Sequence, residues 1–287
     1  PDLFLSTKTM KIGLFDIDAK LPNLALMKIA AYHKQQGNMV EITTPIFANH
    51  NKYYASKIFK FSEMPNLPKG TEIGGTGYQV ESKLSEEIEK CQPDYTLYPQ
   101  CDFSWQRFST GCIRDCEFCV VRKKEGNIQA VEPMQLNPKG KWIYLLDNNF
   151  FASPTWEESI LYLMKIGQPV QFEGVDVRIL TDEKAEWLNK IKLKGQIHIA
   201  WDNVKEDVYT RLKEIIKIIP AYKLMCYVLV GFNTTEEEDL HRILKLRKIK
   251  VDPFVMAFDK KNLYQRRLAR WCNHKAIFKS VLWEDYK

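Results

Sequence analysis

Gly111-Cys112-Ile113-Arg114-Asp115-Cys116-Glu117-Phe118-Cys119 gathers three of the chain's seven cysteines into eight residues, spaced C-x3-C-x2-C. That spacing lets three thiolates converge from one loop, and iron–sulfur clusters take soft anionic ligands of this kind. A cubic [4Fe–4S] cluster has four irons, so three thiolates leave one iron open to bind a further molecule. A structural zinc site instead takes four Cys or His ligands, usually as two pairs. No second C-x2-C and no H-x3-H follows the loop, and Cys101 is the nearby fourth candidate. A framework of disulfides fails on parity, because seven cysteines cannot all pair. The stretch therefore reads as a cluster loop with Cys112, Cys116 and Cys119 as ligands. The rest of the chain is placed by its distance from it.

Downstream of the loop, short apolar runs alternate with helical periodicity. Strands are expected at residues 107–110, 142–146, 169–172, 196–201, 224–231 and 253–257, with helices at about 155–166, 182–192, 206–219 and 236–247. Thr235 with Glu238 forms a capping-box start for the last of these helices. Six β/α units in roughly 180 residues amount to three quarters of a TIM-type barrel. Upstream, residues 11–18 read as a buried parallel strand, 22–36 as a helix stopped by Gly37, and 39–44 and 53–61 as further strands. Ile73-Gly74-Gly75-Thr76-Gly77 precedes a helix expected near 81–91; the glycines suit either a phosphate contact or a plain tight turn. The expected fold is thus α/β, a small Rossmann-like domain over 1–98 followed by a partial (β/α)6 barrel over 99–287 with a basic helical end.

Of the chain's 287 residues, 45% are hydrophobic and 27% charged, ordinary for a globular protein. No apolar run approaches the roughly 20 residues of a membrane span, and the opening Pro1–Lys8 lacks a secretory pattern. With clustered free thiols, a cytoplasmic location and no membrane partner are expected. The net charge of +6 is uneven: His241–Lys275 carries eleven Lys and Arg against Asp252 and Asp259, leaving the remainder acidic. A solvated helix face or an anionic partner would each account for this. Cys91, Cys101, Cys226 and Cys272 are scattered and read as small buried hydrophobes.

The cysteine stretch resembles the signature of the radical S-adenosylmethionine (SAM) superfamily, which also places an aromatic before the third cysteine, here Phe118. The resemblance implies a [4Fe–4S] cluster whose open iron chelates SAM, a flavodoxin- or ferredoxin-type electron donor, and a radical that abstracts hydrogen from a small-molecule or nucleotide-type substrate. In parallel barrels the site lies at the C-terminal strand ends. There the resemblance assigns the SAM amino group to Asp147 or Asn148, in place of the family's Gly-Gly-Glu-like stretch. It gives the carboxylate to Arg178, ribose contacts to Asp176 and Asp202, and adenine to the turn at Gly231. Other readings stay open beside these: a loop turn at 147–149, a structural Asp176–Arg178 ion pair, and an ordinary strand-end glycine at 231. The first hundred residues resemble the cobalamin-binding domain that precedes many radical SAM cores. They lack its Asp-x-His-x-x-Gly loop, so a shortened domain without cobalamin is expected. Methyl transfer, methylthiolation and rearrangement are all chemistries of this group. A nucleic-acid-binding protein with a structural cluster or zinc site is the rival reading, supported by the basic end.

Overall fold

The computed structural model describes residues 9–286. The opening stretch read for a secretory pattern lies outside them. The chain divides into two compact units, the first of residues 1–105 with 134–140, the second of 106–133 with 141–287. No helix among the described residues is long and apolar enough to cross a membrane.

In the first unit β1 (Lys11–Asp16) leads to α1 (Leu24–Gln35), then β2 (Met39–Ile42), β3 (Lys52–Ser56) and β4 (Glu72–Gly74). The four strands are parallel in the order β2-β1-β3-β4. Asn23 caps α1, its side chain accepting from Leu26 N, and Gly37 at φ +78° ends the run. The helix lays Leu26, Ile29 and Ala30 on Ile12, Leu14 and Tyr54 of the sheet. The third strand stops five residues short of the expected Phe61. Ile58 N and Phe59 N are held by the Asp18 carboxylate (2.7 and 2.9 Å), and Lys57 bonds the backbone of the glycine turn.

That turn accounts for its own glycines. A Cβ on Gly75 (φ +98°) would lie 2.3 Å from Lys57 O, and one on Gly77 would lie 2.5 Å from Phe59 N. Two backbone segments pack directly on each other there, which is the tight-turn reading. The helix expected over 81–91 is a single turn, α2 (Glu86–Glu89). Leu84 and Ile88 are the anchors this segment offers to the core. Two anchors do not support three turns of helix.

β5 (Phe103–Gln106) carries the chain into the second unit, followed by β6 (Ser109–Thr110), α3 (Val121–Glu125) and β7 (Gln129–Ala130). This corrects the expected strand over 107–110. The extended run breaks at Arg107, and β6 pairs antiparallel with β7. Phe108 turns into an aromatic nest with Phe150 and Tyr162. Next come β8 (Trp142–Leu145), α4 (Trp156–Ile166), β9 (Val170–Gln171), α5 (Asp182–Lys190), β10 (Ile197–Ala200) and α6 (Val208–Ile215). They are followed by β11 (Leu224–Val230), α7 (Glu236–Lys248), β12 (Asp252–Ala257), α8 (Leu263–Asn273) and α9 (Lys275–Ser280). Gln106 O accepts from Leu146 N, β8 pairs with β9, and His198 N bonds Phe172 O beyond β9. β10, β11 and β12 then pair in turn, so the parallel order follows the chain.

One face of this array is apolar and sealed. Ile143, Leu145, Val170, Phe172, Ile197, Ile199, Cys226 and Val228 are all within 2% of full burial. The other face alternates with it and carries Tyr144, Gln171, His198, Tyr227 and Phe254, none of them fully buried. The capping box at Thr235 and Glu238 is present.

Candidate functional site

The cysteine loop leaves β6 through Gly111, whose φ of +76° and close approach to Asn127 O exclude a side chain. Glu125 fastens the turn, its Oε2 accepting from Gly111 N (2.9 Å) and Asn148 Nδ2 (2.8 Å). Arg122 donates to Cys112 O (2.8 Å), and Arg114 N donates to Cys112 Sγ (3.4 Å). All three thiols are free; Cys112 and Cys116 are half-buried and Cys119 is exposed. Burial, then the neighbouring Cys119, pushes the Cys116 thiol up, with Cys112 adding to it and Arg178 opposing. Among the described residues, no three His, Cys, Asp or Glu side chains stand together as a ready metal-binding group.

Three strand ends meet this loop, and a fourth joins them through Arg178. After β8, Asn148 joins it through Gly111 and Glu125. After β9, Asp176 accepts from Arg114 Nε (2.9 Å) and from both Nε and Nη2 of Arg178 (2.6 and 3.0 Å). Burial works to raise the Asp176 carboxyl, but Arg178 and Arg114 reverse it and hold it below the ordinary value. After β10, Glu206 takes the remaining fork of Arg178. After β11, Phe232 meets Phe118 edge to face with centroids 5.4 Å apart, and Asn233 reaches Glu117 (3.4 Å).

The expected site residues are thus gathered, but several are already engaged. Asp147 is buried beneath the loop and accepts from Phe108 N (3.2 Å) and Ser109 Oγ (2.6 Å). Burial pushes its carboxyl up. Arg178 is ion-paired on both sides, the structural arrangement left open by the sequence. Asp202 accepts from Leu229 N (3.0 Å) and is likewise raised by burial. Gly231 (φ +76°) is required by packing: a Cβ would fall 1.9 Å from the Gln265 side chain. Its N–H goes to Asp239 (2.9 Å), which forms a buried pair with Arg242.

Three groups escaped the sequence reading. Arg114 lies inside the motif, yet its partner Asp176 is 62 residues away. Asn149, next to the two residues named after β8, is buried and gives a long bond to Asp176 (3.4 Å), while its Oδ1 has no hydrogen-bond partner. The third lies on the open strand face. His198 Nδ1 is 2.6 Å from Glu173 Oε2 and 3.0 Å from Tyr227 Oη. Strand alternation was the signal for this cluster. If Nδ1 carries the proton, it serves both oxygens, and the Tyr227 O–H is left to donate outward. Burial, then Glu173, pushes that phenol up to about 12, so it stays a donor through neutral pH.

Compared with protein-family models and with curated proteins, the chain matches none.

Proposed function

We propose that the chain is a radical SAM enzyme, built as a partial (β/α)6 barrel preceded in the sequence by a small Rossmann-like domain that holds no cobalamin. The observation that carries this reading is the meeting of a C-x3-C-x2-C loop with the C-terminal ends of the parallel strands β8, β9 and β11, with that of β10 linked through Arg178. Active sites of parallel β/α folds occupy that edge. The sequential parallel order of the second unit favours the barrel.

The donor set suits an iron–sulfur cluster: three soft thiols on one loop, with Arg114 N aimed at the Cys112 sulfur. Cys112, Cys116 and Cys119 would hold it. When bound, the cluster would supply the electron that splits the SAM sulfonium into methionine and a 5′-deoxyadenosyl radical. The unpaired Oδ1 of Asn149 suits an ammonium group better than Asp147, whose oxygens are occupied. The Phe118–Phe232 pair would shield the loop from water. Glu173, His198 and Tyr227 face the open side of the strands, where they would orient a substrate and move protons to or from it.

Purified without oxygen, the protein should be brown with about four irons per chain, the stoichiometry of a cubane. Cys112→Ala, Cys116→Ala and Cys119→Ala should each abolish this, whereas Cys226→Ala, in β11, should not. Reduced protein given SAM should release 5′-deoxyadenosine. One equivalent of zinc and no SAM cleavage would overturn the reading in favour of a structural metal.

A further inference from the structure

A cavity of about 960 Å³ opens between β12 and α8, within the range of small-molecule sites. β12 contributes Phe254 and Met256, α8 contributes Arg266, Arg267 and Arg270, and Lys260 comes from the connection between them. Among the described residues no acidic side chain lines it. α8 holds three arginines and no carboxylate of its own.

Several arginines elsewhere in the unit are paired. Arg178, Arg211 and Arg242 are each neutralised by a carboxylate. Among the described residues the Arg266 and Arg270 side chains have no ion-pair or hydrogen-bond partner, although they sit one turn apart on one face, where like charges repel. Elsewhere in the basic run, Arg242 is buried against Asp239, and Lys275 pairs with Asp252 (2.7 Å).

The platform behind these arginines is rigid. Leu268, Trp271 and Cys272 anchor α8 in the core. The Asn273 side chain donates to Val255 O (3.0 Å) and accepts from Val255 N (2.7 Å), tying the helix to the edge strand. Arg267 lies over the Trp283 ring at 4.7 Å and donates to Tyr286 O. Its position is set before any ligand arrives.

We propose that this cavity binds a nucleotide phosphate. Arg266 and Arg270 grip the phosphate oxygens, and Phe254 presents an apolar face to the base. Planar guanidinium forks match phosphate, and a ring beside them accepts a base by stacking. Phe254 is 37% exposed, open enough for such a contact. The ligand is either a free nucleotide or one unit of a single strand, since both offer the same chemistry. Such binding would not require the cysteine loop.

The test uses the full chain, ADP in calorimetry and a fluorescein-labelled single-stranded RNA dodecamer in anisotropy. The Arg266→Ala/Arg270→Ala variant should lose on the order of tenfold in affinity for whichever probe binds. Lys213→Ala/Lys217→Ala, exposed cations on α6 and in the turn that follows it, should bind as the parent does. If the strand is the ligand, the arginine variant should also flatten the salt dependence by about 1.4 in log–log slope, two phosphates' worth. ADP binding without strand binding assigns a free nucleotide; the reverse assigns a strand. If neither probe binds at low salt, or the arginine variant matches the parent while its circular dichroism is unchanged, the proposal is wrong.

Discussion

Arg242→Met is the most informative single perturbation of the second unit. The Arg242 side chain is 1% exposed, and its guanidinium donates to Trp201 O (2.6 Å), Leu229 O (2.8 Å) and Asp239 Oδ1 (2.5 Å). Asp239 in turn accepts from Gly231 N (2.9 Å) and Thr234 Oγ1 (2.7 Å). One ion pair thus fastens the ends of β10 and β11 to the first turn of α7. Methionine keeps most of the volume but leaves two carbonyls short of a donor and a buried carboxylate without its cation. Breaking a buried pair from one side costs about 3–5 kcal/mol, against the roughly 5–15 kcal/mol that keeps a domain folded. Urea unfolding of parent and variant, followed by tryptophan fluorescence, should show a loss of that size. Adding Asp239→Asn should then cost little more, because the stranded charge is gone. A loss below about 1 kcal/mol in the single variant, or strict additivity in the double, would refute the idea that the pair acts as one unit.

Asp176→Asn should weaken the acid side of the stability profile. A carboxyl held below its ordinary 3.8 contributes stability that is present above that value and lost as pH falls through the folded one. Acid titration of the unfolding midpoint should therefore show a shallower fall in the variant; identical acid limbs would count against the Arg114–Asp176–Arg178 network. Gly111→Ala should cost about 2 kcal/mol or more, from the positive φ and the clash with Asn127 O at 2.2 Å. Gly37→Ala, at φ +78° with open space around it, should cost about 1 kcal/mol, and equal melting-temperature losses in both would remove the clash from the argument.

Local chemistry was legible in the sequence where the signal is itself local. The capping box at Thr235 and Glu238 and the helix stop at Gly37 depend on residues a few positions apart, and the structure has them as expected. The cysteine spacing belongs to the same class, because one loop holds all three thiols. The succession of parallel strands with intervening helices also followed from periodicity alone. Element ends were read less well: the strand expected at 107–110 and the long helix at 81–91 depended on partners far along the chain.

The tertiary structure decided which polar groups remain available, and that is what separates a structural residue from a functional one. Asp147, Arg178 and Gly231 stood out as site residues by type and position. Ser109, Glu206 and Gln265 engage or crowd them from 28 to 38 positions away, distances at which sequence pattern carries no information. Asn149 became distinct only when its Oδ1 proved unpaired. Folding buries Arg242 against Asp239 and leaves Arg266 and Arg270 without counter-ions among the described residues. Composition and spacing determine which groups the chain can offer. Only folding determines which of them find a partner within it, because a hydrogen bond or ion pair needs about 3 Å, and only the fold sets that distance.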